Sequence, residues 1–242
     1  MRVIRLTVGY DGTDFCGWQR QPGSRTVQGE LEAALAKLAG KRIPAVGAGR
    51  TDAGVHAQGQ VASFRAELRL EDDELLRALN ALLPGDVRVS AVGRAPAGFD
   101  ARKSARSKIY RYRIFNAPQV SPFLFRYVLH WPGPLDLERM AEAAGLFERK
   151  TDFTSFSSNR LLHPVRQVMR SELKKKGREI TYTIEADGFL RYMVRTIVGT
   201  LLVVGRGRIE PRAIEDLFAR KKRSLASPTA PAKGLCLVKV IY

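Results

Sequence analysis

Gly49-Arg50-Thr51-Asp52-Ala53-Gly54-Val55-His56-Ala57-Gln58-Gly59-Gln60-Val61 places a single carboxylate, Asp52, among small residues, with an arginine two positions before it. The glycines free this stretch for tight or positive-φ backbone and for the close approach of a large ligand. The chain reads as strand only from Val61 to Phe64, so Asp52 is expected on a loop where a planar substrate can reach it, as a working acid. A plainer reading makes Thr51 and Asp52 an Asx or N-cap turn, and local pattern does not choose between the two.

Outward from this loop, the first hundred residues read as strand, helix, strand, strand, helix, strand. Arg2 to Val8 alternates with Ile4, Leu6 and Val8 on one face. Thr26 is placed to cap a helix whose Val27, Leu31, Ala34, Leu35 and Leu38 form one apolar stripe. A second helix is expected over Asp72 to Leu83, stopped by Pro84-Gly85, before a strand through Val87, Val89 and Ala91.

After the Pro96 to Asp100 loop the order recurs. Lys108 to Phe115 is strand-like, Leu137, Met140, Ala144 and Phe147 mark a helix, and Val165 to Lys174 with Glu179 to Ala186 form a hairpin. Helices over Phe189 to Val204 and Pro211 to Lys222 precede a final strand, Leu235 to Ile241. The expected fold is α+β: two ferredoxin-like, split βαβ halves, residues 1–100 and 101–242, joined edge to edge. No identity-level repeat accompanies this order, so the duplication rests on the elements alone.

Composition sets the class of partner. With 41 Lys and Arg against 24 Asp and Glu, the 242-residue chain has a formal net charge of +17, which favours a polyanion. The cations cluster: seven lie between Ala101 and Leu135 with no acid, and seven between Arg160 and Arg178 with Glu172 as the one acid. Arg220-Lys221-Lys222-Arg223 is a third group, and nucleic acid is the leading partner.

Other classes lose ground. No apolar run is long enough for a membrane span, and Met1-Arg2-Val3-Ile4-Arg5 enters a strand pattern without a signal-peptide block, so a cytoplasmic protein is expected. Cys16 and Cys236 fit neither a disulfide framework nor a zinc site. His56, His130 and His163 are scattered singly and no carboxylate cluster has ligand spacing, so no metal is expected; His56 reads as a structural hydrogen-bonder.

Two further groups carry candidate chemistry. A carboxylate in a water-excluding pocket stays ionised only beside a cation. Arg195 is the candidate cation for Asp52, four residues after Arg191 on one face of the late helix; two solvent-exposed arginines are the plainer reading. Tyr110 and Tyr112 alternate with Arg111 and Arg113, so the rings share one strand face, either to stack on a base or to fill a core.

The 49–61 segment resembles the catalytic signature of the tRNA pseudouridine synthase A family, GRTDAGVHA followed by GQV, without a departure. The resemblance covers nearly the whole chain. Tyr10-Asp11-Gly12-Thr13 with Phe15, Gly17-Trp18-Gln19 and Gln21 is similar to the family's N-terminal loop, and Phe99-Asp100-Ala101-Arg102 with Tyr110-Arg111-Tyr112 to its central motif. Phe189-Leu190 with Met193-Val194-Arg195 and Ile197-Val198-Gly199 is similar to its late helix, and Gly234-Leu235 with Leu237 and Tyr242 to its closing strand. Departures are confined to Cys16 and to Arg191-Tyr192, where members vary.

The resemblance implies two α+β halves around one long antiparallel sheet with a central catalytic cleft. It further implies a cofactor-free isomerase that turns uridine into pseudouridine on the 3′ side of the tRNA anticodon stem-loop, acting as a homodimer. Asp52 is then the nucleophile, Arg195 its charge partner, Arg50 the group that flips or positions the nucleotide, and Tyr110 a substrate-contacting wall, with Tyr112 structural. Asp11, Thr13, Gln19 and Gln21 either border the RNA or order a turn. Two rivals remain: an RNA-binding or ribosome-assembly module without chemistry, which leaves the glycine-framed aspartate unexplained, and a metal-dependent nuclease, which lacks carboxylate ligands.

Overall fold

The computed structural model describes residues 1–158 and 163–242. Arg160, which opens the second basic cluster, lies outside the described residues. Two compact units are present, Met1–Arg106 with Cys236–Tyr242, and Ser107–Leu235.

The first unit runs β1 (Arg2–Tyr10), α1 (Val27–Ala39), β2 (Val46–Gly47), β3 (His56–Ala66), α2 (Asp72–Leu82) and β4 (Val87–Ala95). The second runs β5 (Ser107–Phe115), β6 (Leu129–His130), α3 (Leu137–Gly145), β7 (Lys150–Asp152), β8 (Val165–Lys176), β9 (Glu179–Ala186), α4 (Met193–Gly205) and α5 (Ala213–Arg220). A last strand, β10 (Leu235–Ile241), follows, and from Cys236 onward it belongs to the first unit. The class is α+β, as expected.

In the first unit β1 lies between β4 and β3, antiparallel to both, with Leu6 opposite Val92 on one side and Ala62 on the other. Alternation decides which face is dry: Ile4, Leu6 and Val8 are fully buried, together with Leu31 and Leu35 of α1 and Leu75 and Leu79 of α2. Thr26 caps α1 as its sequence predicts, its side chain accepting from the Gly29 N–H, and Gly40 closes the helix in the left-handed conformation at φ 66°.

Antiparallel pairing throughout is not what forms. β10 runs parallel to β3, with Cys236 opposite His56 and Leu237 opposite Ala57, so the pairing is mixed. Parallel neighbours require a long connection, and here the chain between β3 and β10 includes the whole second unit. This partner also extends β3: the strand starts at His56 rather than Val61, because tertiary pairing stabilises a polar, glycine-containing stretch that is weak by local propensity. Gly59 is required there, since a Cβ would lie 2.4 Å from the Val238 carbonyl oxygen.

In the second unit β9 pairs antiparallel with β5 and β8, β8 with β7, and β6 adds parallel to β5. The β8–β9 hairpin forms where expected, turning through Gly177 at φ 58°. Phe147, Phe153, Phe156 and Phe218 pack edge to face as the core beneath α5.

The late helix differs from expectation. It begins at Met193, not Phe189, because Tyr192 takes the left-handed conformation at φ 63°. Arg191 therefore sits in the preceding turn and does not share a helical face with Arg195. Both guanidinium groups instead lie over the Tyr192 ring, at 4.9 Å for Arg191 and 5.0 Å for Arg195.

Candidate active site

The Asp52 loop joins β2 to β3 and is held from behind by the chain after β1. Trp18 N–H donates to the Thr51 carbonyl at 3.1 Å and Gly54 N–H to the Phe15 carbonyl at 3.3 Å, so backbone bonds clamp the loop on both sides of Asp52. The fit leaves no room for side chains. A Cβ on Gly12 would lie 2.0 Å from the Val55 carbonyl oxygen, and Gly17 has φ 87° with a Cβ position 2.5 Å from the Thr51 carbonyl oxygen.

Within the loop Val55 N–H donates to the Asp52 carbonyl at 3.1 Å, closing a turn in which Gly54 takes φ 77°. This turn is closed by backbone and spans Asp52 to Val55, one step beyond the Asx or N-cap turn considered at Thr51-Asp52. The buried Thr51 hydroxyl pairs with the Tyr10 hydroxyl at 2.9 Å, and Gln60 Nε2 donates to the Gly49 carbonyl at 2.9 Å. Burial pushes the Tyr10 hydroxyl far above the ordinary tyrosine range, so it stays protonated and serves as a fixed hydrogen-bonding post. Asp52 itself is half-buried on this frame.

His56 is buried at the start of β3. Gly12 N–H lies 3.0 Å from its Nδ1, and Asp11 Oδ1 lies 3.1 Å from the same atom. This is a structural role, tying the N-terminal loop to β3. Asp11 also accepts from the Thr13 N–H and hydroxyl at 3.0 and 2.6 Å, which orders the turn there. Among the described residues no group of three or more His, Cys, Asp or Glu is arranged to hold a metal ion.

Arg50 is exposed and donates through Nε to Gln19 Oε1 at 3.1 Å. Gln19 in turn donates to Gln28 Oε1 at 2.8 Å, and Gln28 to Glu32 Oε1 at 3.0 Å. Sequence reasoning missed Gln28 and Glu32. Their four-residue spacing on α1 was a usable signal, since it stacks two polar side chains on one helix face.

In the second unit Tyr110 and Tyr112 both point inward from β5, at 6% and 0% exposure. Tyr112 donates its hydroxyl to the Pro231 carbonyl at 2.8 Å and fills the core above Gly234, where a Cβ would lie 2.6 Å from its ring. Tyr110 meets Phe189 edge-on, with centroids 5.0 Å apart and an interplanar angle of 84°. Arg195, half-buried in the first turn of α4, is bound twice to one residue. Its Nε donates to the Ala230 carbonyl at 2.8 Å and its carbonyl accepts the Ala230 N–H at 3.0 Å. Asp52 and Arg50 thus belong to the first unit, and Tyr110 and Arg195 to the second.

The basic clusters divide by use. Lys175, Lys176 and Arg178 are exposed around the β8–β9 turn, as is Lys174, which pairs with Glu172 at 3.2 Å. Arg223 is spent on structure, donating to the Ala226 and Ser227 carbonyls, and Lys221 pairs with Asp152 at 3.2 Å. No helix among the described residues is long and apolar enough to cross a membrane.

Comparison with known proteins gives the family. The family model described as tRNA pseudouridine synthase matches residues 6–102 and 143–242. A tRNA pseudouridine synthase A of Moorella thermoacetica is 44% identical over 246 residues, covering 100% of both chains. One from Thermodesulfovibrio yellowstonii is 42% identical over 251 residues, covering 99% of each. One from Geobacillus sp. (strain WCH70) is 45% identical over 242 residues, covering 99% of this chain and 98% of that one. A crystal structure of an archaeal box H/ACA sRNP Nop10-Cbf5 complex gives a TM-score of 0.37 at 13% identity, covering 82% of this chain and 44% of that chain, too slight a likeness to carry an inference. With a family match over most of its length and relatives above 40% identity from end to end, the chain belongs to the tRNA pseudouridine synthase family.

Proposed function

We propose that this protein converts uridine to pseudouridine on the 3′ side of the tRNA anticodon stem-loop, without a cofactor, with Asp52 as the nucleophile. The observation that carries the reading is the Gly49–Val61 segment: an aspartate on a loop clamped by backbone on both sides, in a chain whose full-length relatives are tRNA pseudouridine synthases.

The reaction breaks the bond from C1′ of ribose to N1 of uracil and forms one from C1′ to C5; the C5 hydrogen leaves to solvent as a proton and N1 gains one. Atoms and electrons balance without a redox partner. A carboxylate attacking the sugar or the ring splits this into two easier steps. Arg195 is Asp52's charge partner in this account, holding it ionised. Support comes from the bond of its Nε to the Ala230 carbonyl, which anchors the side chain, beside a backbone bond between the same two residues.

The target base must leave its stack, at a cost of a few kcal/mol. Tyr110, 6% exposed and held edge-on to Phe189, is the substrate-contacting wall of the pocket that receives it. Arg50, exposed beside the loop, positions the flipped nucleotide. The exposed Lys174–Arg178 turn tracks phosphates.

The remaining parts of the proposal concern organisation. The chain is read as two ferredoxin-like halves of one long sheet with the catalytic cleft at its centre, residues 1–100 carrying the aspartate and 101–242 the basic RNA-binding surfaces; the βαββαβ order of the elements up to Ala95 supports this. The protein acts in the cytoplasm as a homodimer. Phe123, Phe125 and Tyr127, exposed on a single turn, supply the apolar surface a self-association needs.

The test is release of tritium from tRNA carrying 5-tritiated uridine, with chelator present, because moving the glycosidic bond to C5 displaces that hydrogen. Release matched by pseudouridine in the product supports the reading. Tight tRNA binding without release favours the non-catalytic RNA-binding module.

A further inference from the structure

Glu32 is 5% exposed on α1, beside the fully buried Leu31 and Leu35. A carboxylate in that position costs free energy that an apolar residue would not, unless its oxygens are paired. Its Oε1 accepts from Gln28 Nε2 at 3.0 Å and from the Ala45 N–H at 3.1 Å, while Oε2 faces Arg20 Nε at 3.6 Å.

The pairing has a direction. A glutamine amide has one donating and one accepting end of nearly equal shape, whereas an ionised carboxylate only accepts. Glu32 Oε1 and the Ala45 carbonyl, both pure acceptors, therefore hold the Gln28 nitrogen inward together, the second at 2.9 Å. Gln28 Oε1 is left facing outward, accepting from Gln19 Nε2 at 2.8 Å and from the Arg20 N–H at 3.0 Å. Gln19 is then fixed with Oε1 outward, which is the atom that accepts from Arg50 Nε at 3.1 Å. A reversed Gln19 would present N–H to N–H and release the guanidinium.

We infer that Glu32 is a positioning residue for Arg50: bound to both Gln28 Nε2 and the Ala45 N–H, it holds, with the Ala45 carbonyl, the inner end of the Gln28–Gln19 relay that keeps the guanidinium in place. The inference rests on the reading of Arg50 as the group that positions the flipped nucleotide. Misplacing a positioning group by about 1 Å costs up to about 100-fold in rate, so a relay of this kind acts on turnover rather than on affinity.

The test measures single-turnover conversion at saturating tRNA, with tRNA affinity in parallel, for Arg50→Ala, Glu32→Leu, Glu32→Gln, the half-buried Gln28→Leu, and Arg50→Ala combined with each leucine variant. Glu32→Leu and Gln28→Leu are expected to slow conversion about tenfold or more, with affinity changed less than about threefold. Glu32→Gln, whose Oε1 still accepts, returns the rate to within about threefold of wild type. Each double variant is no slower than Arg50→Ala alone, because the relay acts only through that side chain.

Losses that multiply in the double variants, or a Glu32→Gln as slow as Glu32→Leu, overturn the relay. A slow Arg50→Ala beside a wild-type Gln28→Leu also overturns it while sparing the role of Arg50, and settles the matter should Glu32→Leu fail to fold. A wild-type rate for Arg50→Ala overturns that role and the relay with it.

Discussion

Gly17 lies directly behind Thr51: its Cβ position would fall 2.5 Å from the Thr51 carbonyl oxygen, the same oxygen that accepts the Trp18 N–H at 3.1 Å. The loop bearing Asp52 is thus located by backbone packing one residue before the carboxylate. Gly17→Ala sets a methyl group against that carbonyl and forces a side chain into φ 87°. The left-handed backbone alone costs about 1 to 2 kcal/mol. In a chain of this size each kcal/mol lowers Tm by about 2 to 4 °C. A calorimetric scan should show a lower Tm, and activity well below the unfolding transition should fall further than the stability loss accounts for.

Arg195 is held by Nε, a donor that lysine lacks at that position. Arg195→Lys keeps the charge and loses the anchor; Arg195→Met loses both. Turnover should fall about tenfold or more in the first and further in the second, with tRNA affinity nearly unchanged, as rate and binding measurements on the same preparations will check. Equal rates in all three proteins would remove Arg195 from the chemistry.

Arg113 binds Glu179 through two bonds, of 2.8 and 2.7 Å, and holds its carboxyl below the usual range. A group with a lowered folded-state pKa stabilises the fold above its unfolded pKa and loses that contribution as pH falls through the folded value. For this half-exposed pair the contribution is about 1 kcal/mol or less. Denaturant titrations of Glu179→Gln should show a deficit at neutral pH that disappears on acidification.

Lys174, Lys175 and Lys176 are exposed together at the end of β8, next to the turn into β9. If they track phosphates, reversing their charge should weaken tRNA binding and reduce the slope of log affinity against log salt by roughly one unit for each phosphate no longer neutralised. Binding isotherms between low and moderate salt read this directly. An unchanged slope would place the RNA elsewhere.

Much of this architecture was legible in the residues. The Thr26 cap, the helix over Asp72 to Leu83, the Val165–Ala186 hairpin and the closing strand are all specified by short-range pattern, and all form close to where that pattern puts them. The failures have a common cause. β3 reaches back to His56 because β10 pairs with it in parallel from 180 residues away, and α4 starts late because Tyr192 turns left-handed between two arginines. No local periodicity encodes either. At the candidate site the motif pointed to Asp52, whereas Glu32 and Gln28 were marked only by their four-residue spacing on α1, a weak signal beside a full motif.

The most direct test of the central claim compares wild type with Asp52→Asn for tritium release from tRNA carrying 5-tritiated uridine, alongside tRNA affinity. The amide keeps the size of the side chain and removes its nucleophilic charge. The account predicts affinity within about threefold of wild type and no detectable release, a loss larger than any positioning variant would cause. Release by Asp52→Asn at the wild-type rate would contradict it.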